Sequence, residues 1–139
     1  MNCSFEPDLA LDEFTERMLV PLGNGRYPLS ASIELTERCN LNCLHCFINQ
    51  PAGDPAARSK ELSTNSWLRV LDQMAEAGTL FLLITGGEPL LRDDFEEIFI
   101  HTRKRGMLVS LFSNAAMLTP RIADVLADWG LHSLEVSLY

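Results

Sequence analysis

Residues Leu80-Phe81-Leu82-Leu83-Ile84-Thr85 form an unbroken apolar run that ends abruptly in Gly86-Gly87. A strand with one wet face would alternate, so this run predicts a strand of a parallel sheet, covered on both faces. Parallel strands need crossovers, usually helices, and the flanking sequence supplies them. From Ser63 or Thr64 as N-cap, Trp67-Leu68, Val70-Leu71 and Met74-Ala75 recur at helical spacing as far as Gly78. Asp93-Asp94 open a second helix with Phe95, Ile98, Phe99 and Thr102 on one face, closed by Gly106. A third starts at Thr119-Pro120, carries Ile122, Val125-Leu126 and Trp129 along one face, and stops at Gly130. Further strands are expected at 32–36, 107–112 and 134–139. This order makes the chain α/β, with right-handed βαβ units on a parallel sheet.

Two segments fall outside that rhythm. Residues 1–29 read as an N-terminal arm: a short amphipathic helix with Leu9, Leu11, Phe14, Met18 and Leu19, then a hairpin-like stretch over 20–28. Residues 49–59 read as a loop, because Pro51, Gly53 and Pro55 interrupt any regular pattern. The core domain is therefore expected over 30–139. At 139 residues the chain is one domain at most, well short of the roughly 250 of a closed eight-unit α/β barrel.

Composition excludes some classes of function. With 11 basic against 19 acidic residues the formal charge is -8, which repels phosphate backbones, so nucleic acid is not expected as a partner. The one basic cluster, Arg103-Lys104-Arg105, precedes Gly106 and suits the last turn of a helix. No apolar run approaches the roughly 20 residues a membrane helix needs, and a cytoplasmic location is expected.

Chemistry is concentrated after the first expected strand. Cys39-Asn40-Leu41-Asn42-Cys43-Leu44-His45-Cys46 places three of the four cysteines in one short loop. Structural zinc wants four ligands, commonly as two separated pairs; here Cys3 is far upstream and only His45 is local. A 4Fe-4S cluster normally takes four thiolates, so three would leave one iron open to a ligand. Incidental core cysteines fit less well, as does a disulfide framework in a reducing compartment. In parallel sheets ligands bind beyond the carboxyl ends of the strands, where this loop, Gly86-Gly87-Glu88-Pro89 and Ser113-Asn114 should converge.

C-x-x-x-C-x-x-C after a first strand resembles the cluster loop of the radical S-adenosylmethionine (radical SAM) enzymes, and Ile84-Thr85-Gly86-Gly87-Glu88-Pro89 resembles their second hallmark, the GGEP segment. The resemblance spans about residues 30–139. It implies a partial TIM barrel, of which this sequence holds three and a half of six βα units. It also implies a 4Fe-4S cluster on Cys39, Cys43 and Cys46 whose open iron binds the amino and carboxylate groups of S-adenosyl-L-methionine. One electron into the sulfonium then gives methionine and a 5′-deoxyadenosyl radical. Gly86 and Gly87 would let backbone approach the methionine moiety, Glu88 would suit the amino group, and Pro89 belongs to the same segment. Ser113 and Asn114 resemble positions near the carboxylate, although Ala115 stands where many relatives have glycine, and a positive φ there would set the loop apart. Ser137 would approach the ribose, and His45 would flank the cofactor or pack near the cluster. His101 and His132 receive no role.

The wording of both motifs is most like the branch that modifies peptides and proteins, many of whose members carry a cysteine-rich C-terminal extension, the SPASM domain. The partners implied are a peptide or small-molecule substrate and a one-electron donor of the flavodoxin or ferredoxin type. An apolar strand at the end of three and a half units leaves a raw edge, so a fragment of a longer protein is expected, or self-association or a partner chain that completes the barrel. A non-catalytic cluster-binding module and a zinc loop are the other two functional readings.

Overall fold

The structure, a computed structural model, describes residues 26–48 and 50–138. The helix expected in residues 1–19, Cys3 and most of the hairpin-like stretch lie outside the described residues. In chain order the elements are β1 (Ser30–Glu34), β2 (Arg38–Cys39), β3 (Gln50–Pro51), α1 (Pro55–Lys60), α2 (Thr64–Glu76), β4 (Phe81–Thr85), a 3-10 turn (Pro89–Leu91), α3 (Phe95–Lys104), β5 (Leu108–Ser113), α4 (Pro120–Asp128) and β6 (Ser133–Val136). Four of the strands form one parallel sheet in the order β1-β4-β5-β6. The helices α2, α3 and α4 are the crossovers between them. None among the described residues is long and apolar enough to cross a membrane.

The helix ends follow from their capping residues. Ser63 Oγ accepts from Ser66 N at 3.3 Å, and Thr119 Oγ1 accepts from Ile122 N at 3.2 Å with Pro120 at the first helical position. All three helices stop at glycines with positive φ: Gly78, Gly106 and Gly130. The basic triplet at the end of α3 ties helices together. Arg103 donates to the carbonyls of Trp129 and Met107, Lys104 lies 5.4 Å from the centre of the half-exposed Trp129 ring, and Arg105 pairs with Asp72 at 3.0 Å.

The core sits between the helices and one face of the sheet. Leu82 and Ile84 of β4 and Val109 and Leu111 of β5 are buried together with Leu71, Phe95, Ile98, Phe99 and Leu126 from the helices. Each side chain of this kind stabilises the fold by about 1.5–3 kcal/mol on burial. The expectation that residues 80–85 are covered on both faces needs correction. Burial alternates along β4, with Phe81 exposed, Leu83 and Thr85 half-buried, and Leu82 and Ile84 buried. The helices cover one face only, and Leu83, Thr85 and Phe112 of the other face line a cavity.

The segment 49–59 also departs from expectation, since it contains a two-residue strand and a helix. Asp54 Oδ1 accepts from Ala56 N at 2.7 Å and Ala57 N at 3.2 Å, and Pro55 stands at the first position of α1, where its missing N–H costs nothing. The proline read as an interruption starts a helix.

Candidate functional site

The cavity has a volume of about 410 Å³ and opens at the carboxyl end of the sheet. Every loop that leaves that end contributes to its wall: Cys39, Cys43, His45 and Cys46 after β1, Gly86 and Gly87 after β4, Ser113 and Asn114 after β5, and Ser137 after β6. Nine of the eleven residues singled out from sequence thus meet in one place. Glu88 and Pro89 do not line the cavity; both are buried beside it.

Local pairing builds the cysteine loop. β2 and β3 pair in parallel, Arg38 opposite Gln50 and Cys39 opposite Pro51, which closes the loop at its neck. Inside it, Cys46 N donates to Cys43 O at 3.1 Å, and Leu41 N donates to Cys39 Sγ at 3.4 Å. All three cysteines are free thiols; Cys46 is exposed and its Sγ donates to Ile48 O at 2.7 Å.

The neck is held by an ionic network that the sequence did not announce. Arg38 is buried and donates through Nε and Nη2 to the two carboxylate oxygens of Glu61, at 2.6 and 3.2 Å, and through Nη1 to Ala52 O. Arg92, also buried, reaches Leu35 O, Glu61, Leu62 O and both oxygens of Asp94. Thr36 donates to Glu61 and Thr64 to Asp94. Burial raises the Glu61 pKa, but hydrogen bonds from Arg38 and Thr36 and the charges of Arg38 and Arg92 outweigh it, leaving the group below the usual carboxylate range. Asp94 behaves alike: burial raises its pKa, and hydrogen bonds from Arg92 and Thr64 with the Arg92 charge lower it further than that. Arg38 and Arg92 carry no periodic signal, and only the abrupt change from the apolar Ile33 and Leu35 to the charged Glu37-Arg38 hinted at a structural junction.

The glycines are needed where two backbones meet. Gly87 N donates to Thr36 O at 2.7 Å and Glu88 N to Arg38 O at 2.9 Å, so the segment after β4 runs hydrogen-bonded along the chain that enters the cysteine loop. A Cβ on Gly86 would lie 2.4 Å from Thr36 O, and one on Gly87 2.3 Å from Arg38 O. The close approach expected toward a cofactor is, in the first instance, an approach to residues 36–38.

Glu88 is fully buried and engaged. Its carboxylate accepts from Leu90 N at 3.0 Å, from Ser113 Oγ at 2.9 and 3.1 Å, and from Asn114 N at 2.8 Å. It therefore joins the loop after β4 to the loop after β5. Ala115 takes φ 58°, the left-handed conformation that is costly for a residue with a Cβ.

Three soft thiols in one wall suit zinc or an iron-sulfur centre. Among the described residues no group of three His, Cys, Asp or Glu side chains is placed to hold a metal ion. The three thiols line a cavity of about 410 Å³, within the roughly 300–1,000 Å³ range of small-molecule sites, so an organic ligand has room beside them.

A sequence profile described as the radical SAM superfamily matches residues 33–139, and the chain belongs to that superfamily. It is 36% identical over 110 residues to a PqqA peptide cyclase of Bradyrhizobium diazoefficiens, covering 79% of this chain and 28% of that protein. Over 105 residues it is 39% identical to the AdoMet-dependent heme synthase of Methanosarcina barkeri, covering 76% of this chain and 29% of the relative. The chain thus spans less than a third of the length of these relatives. Among solved structures, Streptococcus suis SuiB bound to S-adenosylmethionine shares the fold with a TM-score of 0.69 at 24% identity, over 88% of this chain and 28% of that one. BtrN in complex with AdoMet and 2-DOIA gives 0.64 at 17% identity, over 78% of this chain and 44% of that one.

Proposed function

We propose that Cys39, Cys43 and Cys46 hold a 4Fe-4S cluster, that S-adenosylmethionine binds in the adjoining cavity, and that the chain serves radical chemistry on a peptide or peptide-derived substrate. One observation carries this: loops after four parallel strands bring three thiols, two glycines and the polar residues Ser113, Asn114 and Ser137 to a single cavity. When bound, the reduced cluster and S-adenosylmethionine supply a 5′-deoxyadenosyl radical for hydrogen abstraction.

The chain's own residues bind and orient. Three thiolates satisfy three irons and leave the fourth for a ligand. Gly86 and Gly87 line the wall and, lacking a Cβ, let it lie directly against residues 36–38, the chain that leads into the cysteine loop. Ser137, whose N–H is fixed on Ser113 O at 3.1 Å, sets a hydroxyl at the rim for a ribose, and the rings of His45 and Phe47 flank the opening. Glu88 and Pro89 act from beside the cavity, Glu88 by holding the Ser113-Asn114 loop in place. The core spans 30–139, with 1–29 as an arm. Peptide chemistry is supported by the PqqA peptide cyclases among the relatives. A flavodoxin- or ferredoxin-type donor supplies the electron, and reducing cytoplasm suits three free thiols.

The test is anaerobic reconstitution with iron and sulfide, reduction, and a chromatographic assay for 5′-deoxyadenosine from added S-adenosylmethionine, with Cys43→Ala as control. Production that depends on Cys43 is expected. A loaded cluster that yields no 5′-deoxyadenosine would favour a binding module over a catalyst.

A further inference from the structure

Asn114 stands out because its backbone N–H and both ends of its side-chain amide have partners, and two of those partners belong to the cysteine loop. Its backbone N–H donates to the buried Glu88 carboxylate at 2.8 Å. Its Oδ1 accepts from Ala116 N at 2.9 Å, which fixes the orientation of the amide and leaves Nδ2 facing the loop. Nδ2 then donates to Asn40 Oδ1 at 2.8 Å and lies 3.7 Å from Cys39 Sγ. One N–H of the amide is thereby clamped by Asn40, which leaves the other for the sulfur. Leu41 N adds a second donor to the same sulfur at 3.4 Å. The turn that makes this possible includes Ala115 in its left-handed conformation, a local cost that places the amide of Asn114 between Glu88 and Cys39.

The three cysteines are consequently unequal. Cys39 Sγ has two N–H donors beside it, Leu41 N at 3.4 Å and Asn114 Nδ2 at 3.7 Å, and its own weak donation to Asn40 Oδ1 is long at 4.0 Å, whereas Cys46 Sγ donates to Ile48 O at 2.7 Å and must release that short bond to become a ligand. Hydrogen bonds to ligand sulfur stabilise the more negative, reduced state of an iron-sulfur centre and so raise its reduction potential.

We propose that Asn114 is a positioning residue for the cluster, holding Cys39 as its anchor ligand and raising the potential of the centre through an N–H···S bond. The proposal rests on the cluster assigned under the proposed function. Its readout is the midpoint potential of the anaerobically reconstituted chain, titrated with dithionite and followed by EPR, beside iron and sulfide content. Asn114→Leu removes the donor without adding charge, and Asn114→Asp keeps the shape while replacing the donor by a carboxylate. Both are expected to load the cluster to the wild-type iron content and to shift the potential negative, Asn114→Asp further than Asn114→Leu. Asn40→Ala, which unclamps the amide, is expected to shift it in the same direction by less. Wild-type potentials in both Asn114 variants at equal iron content would overturn the role of Asn114 alone. A wild-type chain that takes up no iron-sulfur cluster would overturn the proposed function and this inference with it.

Discussion

Glu88 offers the sharpest test of how the site is held, because its environment gives a magnitude. The carboxylate is fully buried and accepts from three donors: Leu90 N, Ser113 Oγ and Asn114 N. Glu88→Ala removes the acceptor from all three, and each orphaned buried donor costs about 1–3 kcal/mol. The donors differ in their escape routes. Leu90 is buried and its N–H has nowhere else to go, the Ser113 hydroxyl can rotate, and Asn114 at the cavity wall can reach water. Charging the first in full, the others in part, and adding lost packing gives about 3–5 kcal/mol. Glu88→Gln keeps the shape but turns one acceptor into an NH₂ group facing an N–H, for about 1–3 kcal/mol. Against a total stability of about 5–15 kcal/mol, both are readable as shifts of the urea midpoint at constant slope. Ser113→Ala combined with Glu88→Gln should be less destabilising than the sum of the two, since they share a bond. A Glu88→Ala change within about 0.5 kcal/mol of wild type, the range of an ordinary surface substitution, would refute the reasoning.

Other outcomes follow from the same geometry. Gly87→Ala would place a Cβ 2.3 Å from Arg38 O, a backbone atom without freedom to retreat, and should destabilise by about 1–3 kcal/mol or more in thermal unfolding. Ala115→Gly relieves a φ of 58°; a gain of about 1–2 kcal/mol set against about 0.4–1 of added unfolded-state entropy predicts a melting point equal to or above wild type. Ala116→Gly, with no such strain to relieve, should lower it. Glu61 and Asp94 have folded pKa values below their ordinary ones, so their contribution is fully present above about pH 4.3 and is lost as the pH falls through the folded values. Glu61→Gln and Asp94→Asn should therefore flatten the acid limb of stability against pH, measured by denaturant midpoints; an unchanged acid limb would show that the network does not govern it.

Elements with a local signature were legible in the sequence. Thr119-Pro120 and Gly130 bracket α4 almost to the residue, because a cap, a fixed φ and a left-handed stop each act within one turn. The cysteine spacing and the glycine pair located the cavity for the same reason. What escaped were consequences of tertiary contact. Pro51 and Pro55 looked like breaks, and only Asp54 and the pairing with Arg38-Cys39 turn them into the ends of a strand and a helix. The one-sided burial of β4 depends on where the helices lie, which the uniform run 80–85 does not encode. Glu88 looked like a ligand because an ionised carboxylate is an acceptor, yet its acceptors face Ser113 and Asn114 across 25 and 26 residues of sequence. Arg38, Glu61, Arg92 and Asp94 meet from four separate segments, and no spacing rule links them.

The central claim is that three thiols on one loop hold a single cluster with an open iron beside a cavity. The most direct measurement is EPR of the reduced, reconstituted chain before and after S-adenosylmethionine is added, with iron and sulfide content determined on wild type and on Cys39→Ala, Cys43→Ala and Cys46→Ala. The account predicts about four irons per wild-type chain, a spectrum that changes on addition of S-adenosylmethionine, and loss of the signal in each of the three variants. Stoichiometric zinc in place of iron, or a spectrum indifferent to S-adenosylmethionine, would contradict it.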